Sequence, residues 1–198
     1  MNKRIHHRLA VLALGAALAT LMATDAAFAV VTDPTPAQIA AAIARGQTQK
    51  DRPEALFVGY EFGQRGHGAN GYVMTKLFQV AHRSAMLAQQ SKPAEPETMA
   101  DILKQDYLLF PVYLVAQTAA DLEHPLVELR QGVKTLKAAE VLLDPVEKVL
   151  CEGDKCLYKR DIYAGFYYRD FKAGQLAVLA IRYGSELAEF PLVLEKIE

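Results

Sequence analysis

Gly66-His67-Gly68-Ala69-Asn70-Gly71 is the first place in this 198-residue chain where spacing could do chemistry. The segment matches G-x-G-x-x-G, in which glycines let a pyrophosphate approach the backbone N–H groups of a helix start. Dinucleotide binding also needs a second parallel strand and an acidic residue for the ribose. Here the helical stretch Tyr72 to Gln90 runs into a linker, Ser91 to Pro96, with no such strand and no such acid. No cofactor is expected. Two readings stay open: a flexible loop before a helix, or a small anion site made by Arg65, His67, Asn70 and free N–H groups.

Other catalytic patterns are weaker. Beyond residue 29 the histidines are His67, His82 and His124, and no two have the spacing of a metal site, so no metal is expected. His82 stands four residues from both Phe78 and Met86 and reads as a helix-edge packing residue. Ser84, Ser91 and Ser185 lie outside any G-x-S-x-G. Glu61, Asp161, Asp170 and Glu186 could meet as paired carboxylates, but nothing in their spacing requires it.

The densest unusual cluster is Tyr158 to Lys172. Tyr158, Tyr163, Phe166, Tyr167, Tyr168 and Phe171 interleave there with Lys159, Arg160, Arg169 and Lys172. One reading is strand aromatics packed inward with charges in water. The other is an exposed aromatic and cationic platform for a sugar, a peptide or a protein, in which Tyr163, Tyr167, Tyr168 and Arg169 make contact. Consecutive residues of a strand face opposite sides, so one of Tyr167 and Tyr168 is expected outside.

Cys151 and Cys156 are the only cysteines, and they flank Glu152-Gly153-Asp154-Lys155, which is turn material. Strand-like flanks would set them opposite each other within disulfide reach. A thioredoxin-like motif needs C-x-x-C, and a metal needs more ligands than two sulfurs.

The elements that must position these residues begin after a leader. Lys3, Arg4 and Arg8, an apolar run from Leu9 to about Met22 and the triplet Ala27-Phe28-Ala29 form a secretory signal peptide pattern over residues 1–29. The competing membrane anchor would want roughly 20 apolar residues, and here Thr20, Thr24 and Asp25 interrupt or end the run. No Cys follows the run, so lipid attachment there is excluded. Removing residues 1–29 takes Lys+Arg from 22 to 19 and Asp+Glu from 23 to 22, for a formal charge of −3. Such a chain has no electrostatic reason to seek nucleic acid or anionic lipid. No later segment is apolar and long enough to span a bilayer. A periplasmic or secreted location follows, and it suits a disulfide.

Thr35-Pro36-Ala37-Gln38 predicts a capped helix ending near Gly46. Ala55 to Tyr60 reads as a short strand, 63–71 as loop, Tyr72 to about Gln90 as the best helix, and Pro96 as the start of a short one. Tyr107 to Ala116 reads as a buried strand with a bulge or edge at Pro111. Leu126 to Arg130, Val133 to Leu143, the cysteine hairpin Lys148 to Arg160, Gln175 to Tyr183 and Leu187 to Ile197 read as further strands. For 133–143 a helix fits the spacing nearly as well. The expected fold is therefore α+β. An N-terminal helical segment, 30–105, packs on a C-terminal antiparallel β-sandwich-like domain, 106–198, and 30–198 forms one folded unit. The expected function is an exported, non-enzymatic binding or accessory module whose partner is a protein or an envelope polymer. The alternative is a small exported hydrolase with its site near the glycine-rich loop 63–71.

Overall fold

The computed structural model describes residues 30–65, 68–172 and 174–194. The expected leader, 1–29, His67 with Gly66, and the end of the last expected strand, 195–198, lie outside the described residues.

Helix α1, Pro36–Thr48, starts as its sequence requires. The Thr35 hydroxyl accepts from the Gln38 N–H, the Gln38 side chain accepts from the Thr35 N–H, and Pro36 takes the first turn. It does not stop at Gly46. It runs on to Thr48, and Gly46 serves instead as the contact with the next long helix, α2, Lys76–Gln89. A Cβ on Gly46 would lie 2.0 Å from the Ala81 carbonyl oxygen. Beside it, the buried Ser84 hydroxyl donates to the Ile43 carbonyl at 2.9 Å. The Thr75 hydroxyl caps α2 by accepting from the Phe78 N–H. A 3₁₀ turn, Pro96–Met99, leads into the short helix α3, Ala100–Leu103.

Two expectations in this part are overturned. Ala55 to Tyr60 is not a strand, because the 3₁₀ helix Pro53–Phe57 occupies it. Pro53 pre-sets the first helical turn, and the apolar run is too short for its period to decide. The described residues of 63–71 do not open a helix: they lie in a hairpin of β1, Glu61–Gly63, and β2, Ala69–Tyr72, in register from Glu61 opposite Tyr72 to Gly63 opposite Asn70. Gly63 and Gly68 take positive φ, 72° and 55°, around its turn. Helix α2 starts at Lys76, after this hairpin.

The remaining strands are β3 (Tyr107–Ala116), β4 (Leu126–Gln131), β5 (Lys134–Lys137), β6 (Glu140–Leu143), β7 (Glu147–Glu152), β8 (Lys155–Tyr167), β9 (Leu176–Tyr183) and β10 (Glu186–Val193). They complete two antiparallel sheets. Sheet A runs β1-β2-β3-β8-β6, with β7 also on β8, and sheet B runs β10-β9-β4-β5. The segment 133–143 is strand, but it changes sheets: β5 lies in B and β6 in A. Pro111 sits where the β2–β3 ladder lapses, between the Gly71–Val112 pair and the Met74–Leu109 bridge, because it has no N–H to donate.

One parity of each inner strand is fully buried. Leu108, Phe110, Val112 and Leu114 of β3 join Ile162, Ala164 and Phe166 of β8 and Leu129, Leu179 and Ile181 of sheet B in a single core. Phe62 of β1 meets Phe190 of β10 across it, with ring centroids 5.1 Å apart. This is the two-layer packing of a sandwich. Residues of α1, α2 and α3 extend the same core.

Cys151 and Cys156 are bonded, and they stand opposite each other in the β7–β8 hairpin with Cα atoms 4.1 Å apart. Thiol titration of the unreduced, denatured protein should find no free thiol. Replacing both with Ser should cost about 2 kcal/mol or less, since the closed loop is so small. Loss of the whole transition in chemical denaturation would show that the hairpin holds more than its own shape.

Candidate functional site

The face of sheet A that looks away from sheet B is where the chain gathers half-buried aromatics. On β3 the odd-numbered residues Tyr107, Leu109, Tyr113 and Val115 are partly exposed, while Leu108, Phe110, Val112 and Leu114, and Pro111 at the lapse in the ladder, are buried. On β8 the same holds for Tyr163 and Tyr167 against Ile162, Ala164 and Phe166. The register then builds rows across the strands. Tyr107 is opposite Tyr167, Tyr113 is opposite Asn70 and Asp161, and Tyr163 is opposite Pro111 and Leu142. Tyr72 of β2 adds a ring 5.9 Å from that of Tyr113, at 80° to it. Five tyrosines thus share one sheet face.

Local contacts set their poses. Tyr107 lies against the backbone of Gly165, where a Cβ would come within 3.1 Å of its ring. Glycine at 165 therefore leaves room for the ring to rest on the strand. The Arg169 guanidinium stacks 4.3 Å from the Tyr167 ring centroid and approaches Asp106 at 4.0 Å. Arg65 donates to the Tyr72 hydroxyl at 2.7 Å and pairs with Glu61 at 2.8 Å. Phe57 packs between Tyr72 and the Phe78 and His82 rings of α2, so the helical part borders the face. Burial there pushes the His82 imidazole below its usual range.

Burial, with neighbouring groups adding to it, holds the Tyr113 and Tyr163 phenols protonated. Burial, then the neighbouring Tyr163, Tyr72 and Asp161, push the Tyr113 hydroxyl up to about 12. Burial, with Asp144 and Asp161, raises that of Tyr163. Asp161 is itself raised, first by burial, with Asp144 and Glu147 adding to the effect and Lys159 opposing it. At neutral pH the face therefore offers rings, neutral O–H groups that donate and accept, and cations at two rims. Such groups stack on and hydrogen-bond a partner.

The residues singled out in the sequence divide. Tyr163, Tyr167 and Arg169 lie on this face, and Arg65 lies at its edge. Tyr168 does not belong with them: it is 6 % exposed beneath the Lys76 ammonium, and burial raises its hydroxyl pKa. Strand alternation does not decide the split between Tyr167 and Tyr168, because β8 ends at Tyr167 and Tyr168 opens the 3₁₀ turn Tyr168–Asp170. Phe166 and Phe171 are also buried in the core. Asn70 is buried in β2, and its amide donates to the Tyr113 carbonyl at 3.4 Å. Arg160 is no part of a platform. Its guanidinium is spent on the carbonyls of Asp144, Leu122 and Glu123, at 2.8, 2.7 and 2.9 Å. Tyr72, Tyr107 and Tyr113 were not singled out. The alternation Tyr107-Leu108-Leu109-Phe110-Pro111-Val112-Tyr113 carries the signal that marks the last two.

A hollow of about 240 Å³ at the β1–β2 hairpin is lined by Glu61, Arg65, Asn70 and Tyr72, among others. Its Arg65 and Glu61 are largely exposed and paired with each other. Among the described residues no helix is long and apolar enough to cross a membrane. Compared with known proteins, the chain matches no family model and no curated sequence.

Proposed function

We propose that the protein is an exported, non-enzymatic binding or accessory module, and that the tyrosine face of sheet A is its contact surface. The observation that carries this reading is the gathering of Tyr72, Tyr107, Tyr113, Tyr163 and Tyr167, all half-buried, on the one side of sheet A turned away from sheet B. Apolar surface left in water forgoes about 25 cal/mol per Å² that burial would return, so a partner covering the rings would gain it. The partner is a protein or an envelope polymer. Export is supported by the leader pattern and by the disulfide. The alternative, a hydrolase working near 63–71, gains little from the hollow there, whose charged groups are exposed and satisfied by each other.

Tyr163→Ala tests the surface. It should weaken capture of isolated envelope polymer, or of a cross-linked protein partner, by about 2 kcal/mol, roughly 30-fold, with a nearly unchanged melting temperature. Equal capture by the variant and the unaltered protein would remove the face from consideration.

A further inference from the structure

Besides the short β1, four strands lie at the margins of the two sheets, and three of them are guarded against a further strand. β5 carries Lys134 and Lys137, β10 carries Pro191, and β7 is bulged between Lys148 and Leu150. Lysines, prolines and bulges keep sheet edges from pairing with other chains. β6, Glu140–Leu143, has none of these devices. Its one partner strand among the described residues is β8. Val141, Leu142 and Leu143 follow one another along it and are 48, 64 and 36 % exposed.

The backbone of β6 is open in the same way. Just beyond the strand, the Asp144 N–H donates to the Asp161 carbonyl at 3.0 Å. An antiparallel ladder turns every second residue toward its partner strand. Leu142 and Glu140, opposite Tyr163 and Gly165, therefore address β8. Val141 and Leu143 turn their N–H and C=O groups outward, where no strand of the described residues lies. Glu140 and Asp144 stand at the two ends of the apolar triplet.

Those two acids decide what fits the edge. A second copy of the chain would lay its own β6 antiparallel on this one. The register that sets all three apolar residues on apolar residues puts Leu142 opposite Leu142 and Val141 opposite Leu143. It also puts Glu140 opposite Asp144 at both ends, and like charges directly opposite each other are destabilising. A strand with a basic residue on each side of an apolar triplet meets both acids with opposite charge instead. We propose that β6 is a docking edge for such an extended, basic-flanked segment of another protein, which adds to sheet A as a further strand. Main-chain hydrogen bonds to Val141 and Leu143 supply the affinity, and Glu140 and Asp144 supply the selectivity. This partner lies beside the sheet, so the proposal does not depend on the tyrosine face.

The probe is a fluorescein-labelled peptide, Lys-Val-Ile-Val-Lys between glycines, titrated with the protein and read by anisotropy. It should bind at least about tenfold more tightly than the same peptide with Glu in place of both Lys. The gap should narrow as salt rises from about 0.02 M to about 0.5 M. Val141→Pro removes an outward N–H and none of the bonds to β8, which is where a sheet tolerates proline. It should weaken capture of the Lys peptide at least about tenfold, with a nearly unchanged melting temperature. Glu140→Lys, at an exposed side chain, should erase the preference between the two peptides. If Val141→Pro unfolds the protein, Glu140→Lys decides alone. Equal binding of the two peptides by the unaltered protein, or binding of neither at about 1 mM, would overturn the proposal. So would a folded Val141→Pro variant that binds as the parent does. A dimer in sedimentation that Val141→Pro dissolves would overturn it as well, since the edge would then hold a second copy.

Discussion

Phe110→Ala is expected to destabilise the protein by about 3–5 kcal/mol and to lower its melting temperature by roughly 10 °C. Phe110 is fully buried in the middle of β3, where its ring meets Phe166 edge-on at 5.5 Å and Phe62 at 6.4 Å. Phe110 itself is paired with Ala164 of β8, and its strand is tied to β2 on either side of it, at Val112 and by the Met74–Leu109 bridge. Backbone tethered in this way cannot collapse far into the space the ring leaves, so the cavity penalty adds to the lost burial. Urea denaturation with an unchanged slope would measure it. A loss below about 1 kcal/mol would mean that the two sheets do not meet tightly at this ring.

Gly46→Val is expected to cost about 3 kcal/mol or more, although valine is a better helix former than glycine by several tenths of a kcal/mol. The local preference loses because the obstacle is backbone. The first carbon of any side chain at 46 would stand 2.0 Å from the Ala81 carbonyl oxygen and 2.8 Å from the Ser84 Cβ. No rotamer relieves that contact, so α1 must move off α2. The Ser84–Ile43 hydrogen bond would go with it, leaving a buried hydroxyl unpaired. Circular dichroism melts decide the matter. A variant as stable as the parent would show that the helices can part without loss.

Gly46 also shows where the sequence stopped being legible. A glycine late in an amphipathic stretch reads as a stop signal, and nothing local distinguishes that role from a helix crossing. The capping box at Thr35, the apolar stripe of α2 and the cysteine hairpin were legible because each is written in neighbouring residues. Ala55 to Tyr60 was not, because six residues with Pro53 in front fit a 3₁₀ turn as well as a strand. The candidate site was half legible for the same reason. Tyr163 and Tyr167 stand out within one segment, whereas Tyr72, Tyr107 and Tyr113 join them only through strand register, which pairs distant parts of the chain. Arg160 reads as a solvated charge on a strand until the fold brings three carbonyl oxygens to it.

The pairing of β3 with β8 has a further consequence, for the rate of folding. These two long strands form the middle of sheet A from Tyr107 opposite Tyr167 to Ala116 opposite Tyr158, and β4 to β7 lie between them in the chain. Joining them closes a long loop, whose entropy is lost before the pair returns any burial. The helices and the short hairpins are local and can form early, but they have no completed sheet to pack on. A chain of this topology has high contact order and folds slowly for its size. Until β8 is available, the apolar parity of β3, Leu108 to Leu114, has no partner strand on that side, and it is the stretch of the nascent protein most in need of shielding.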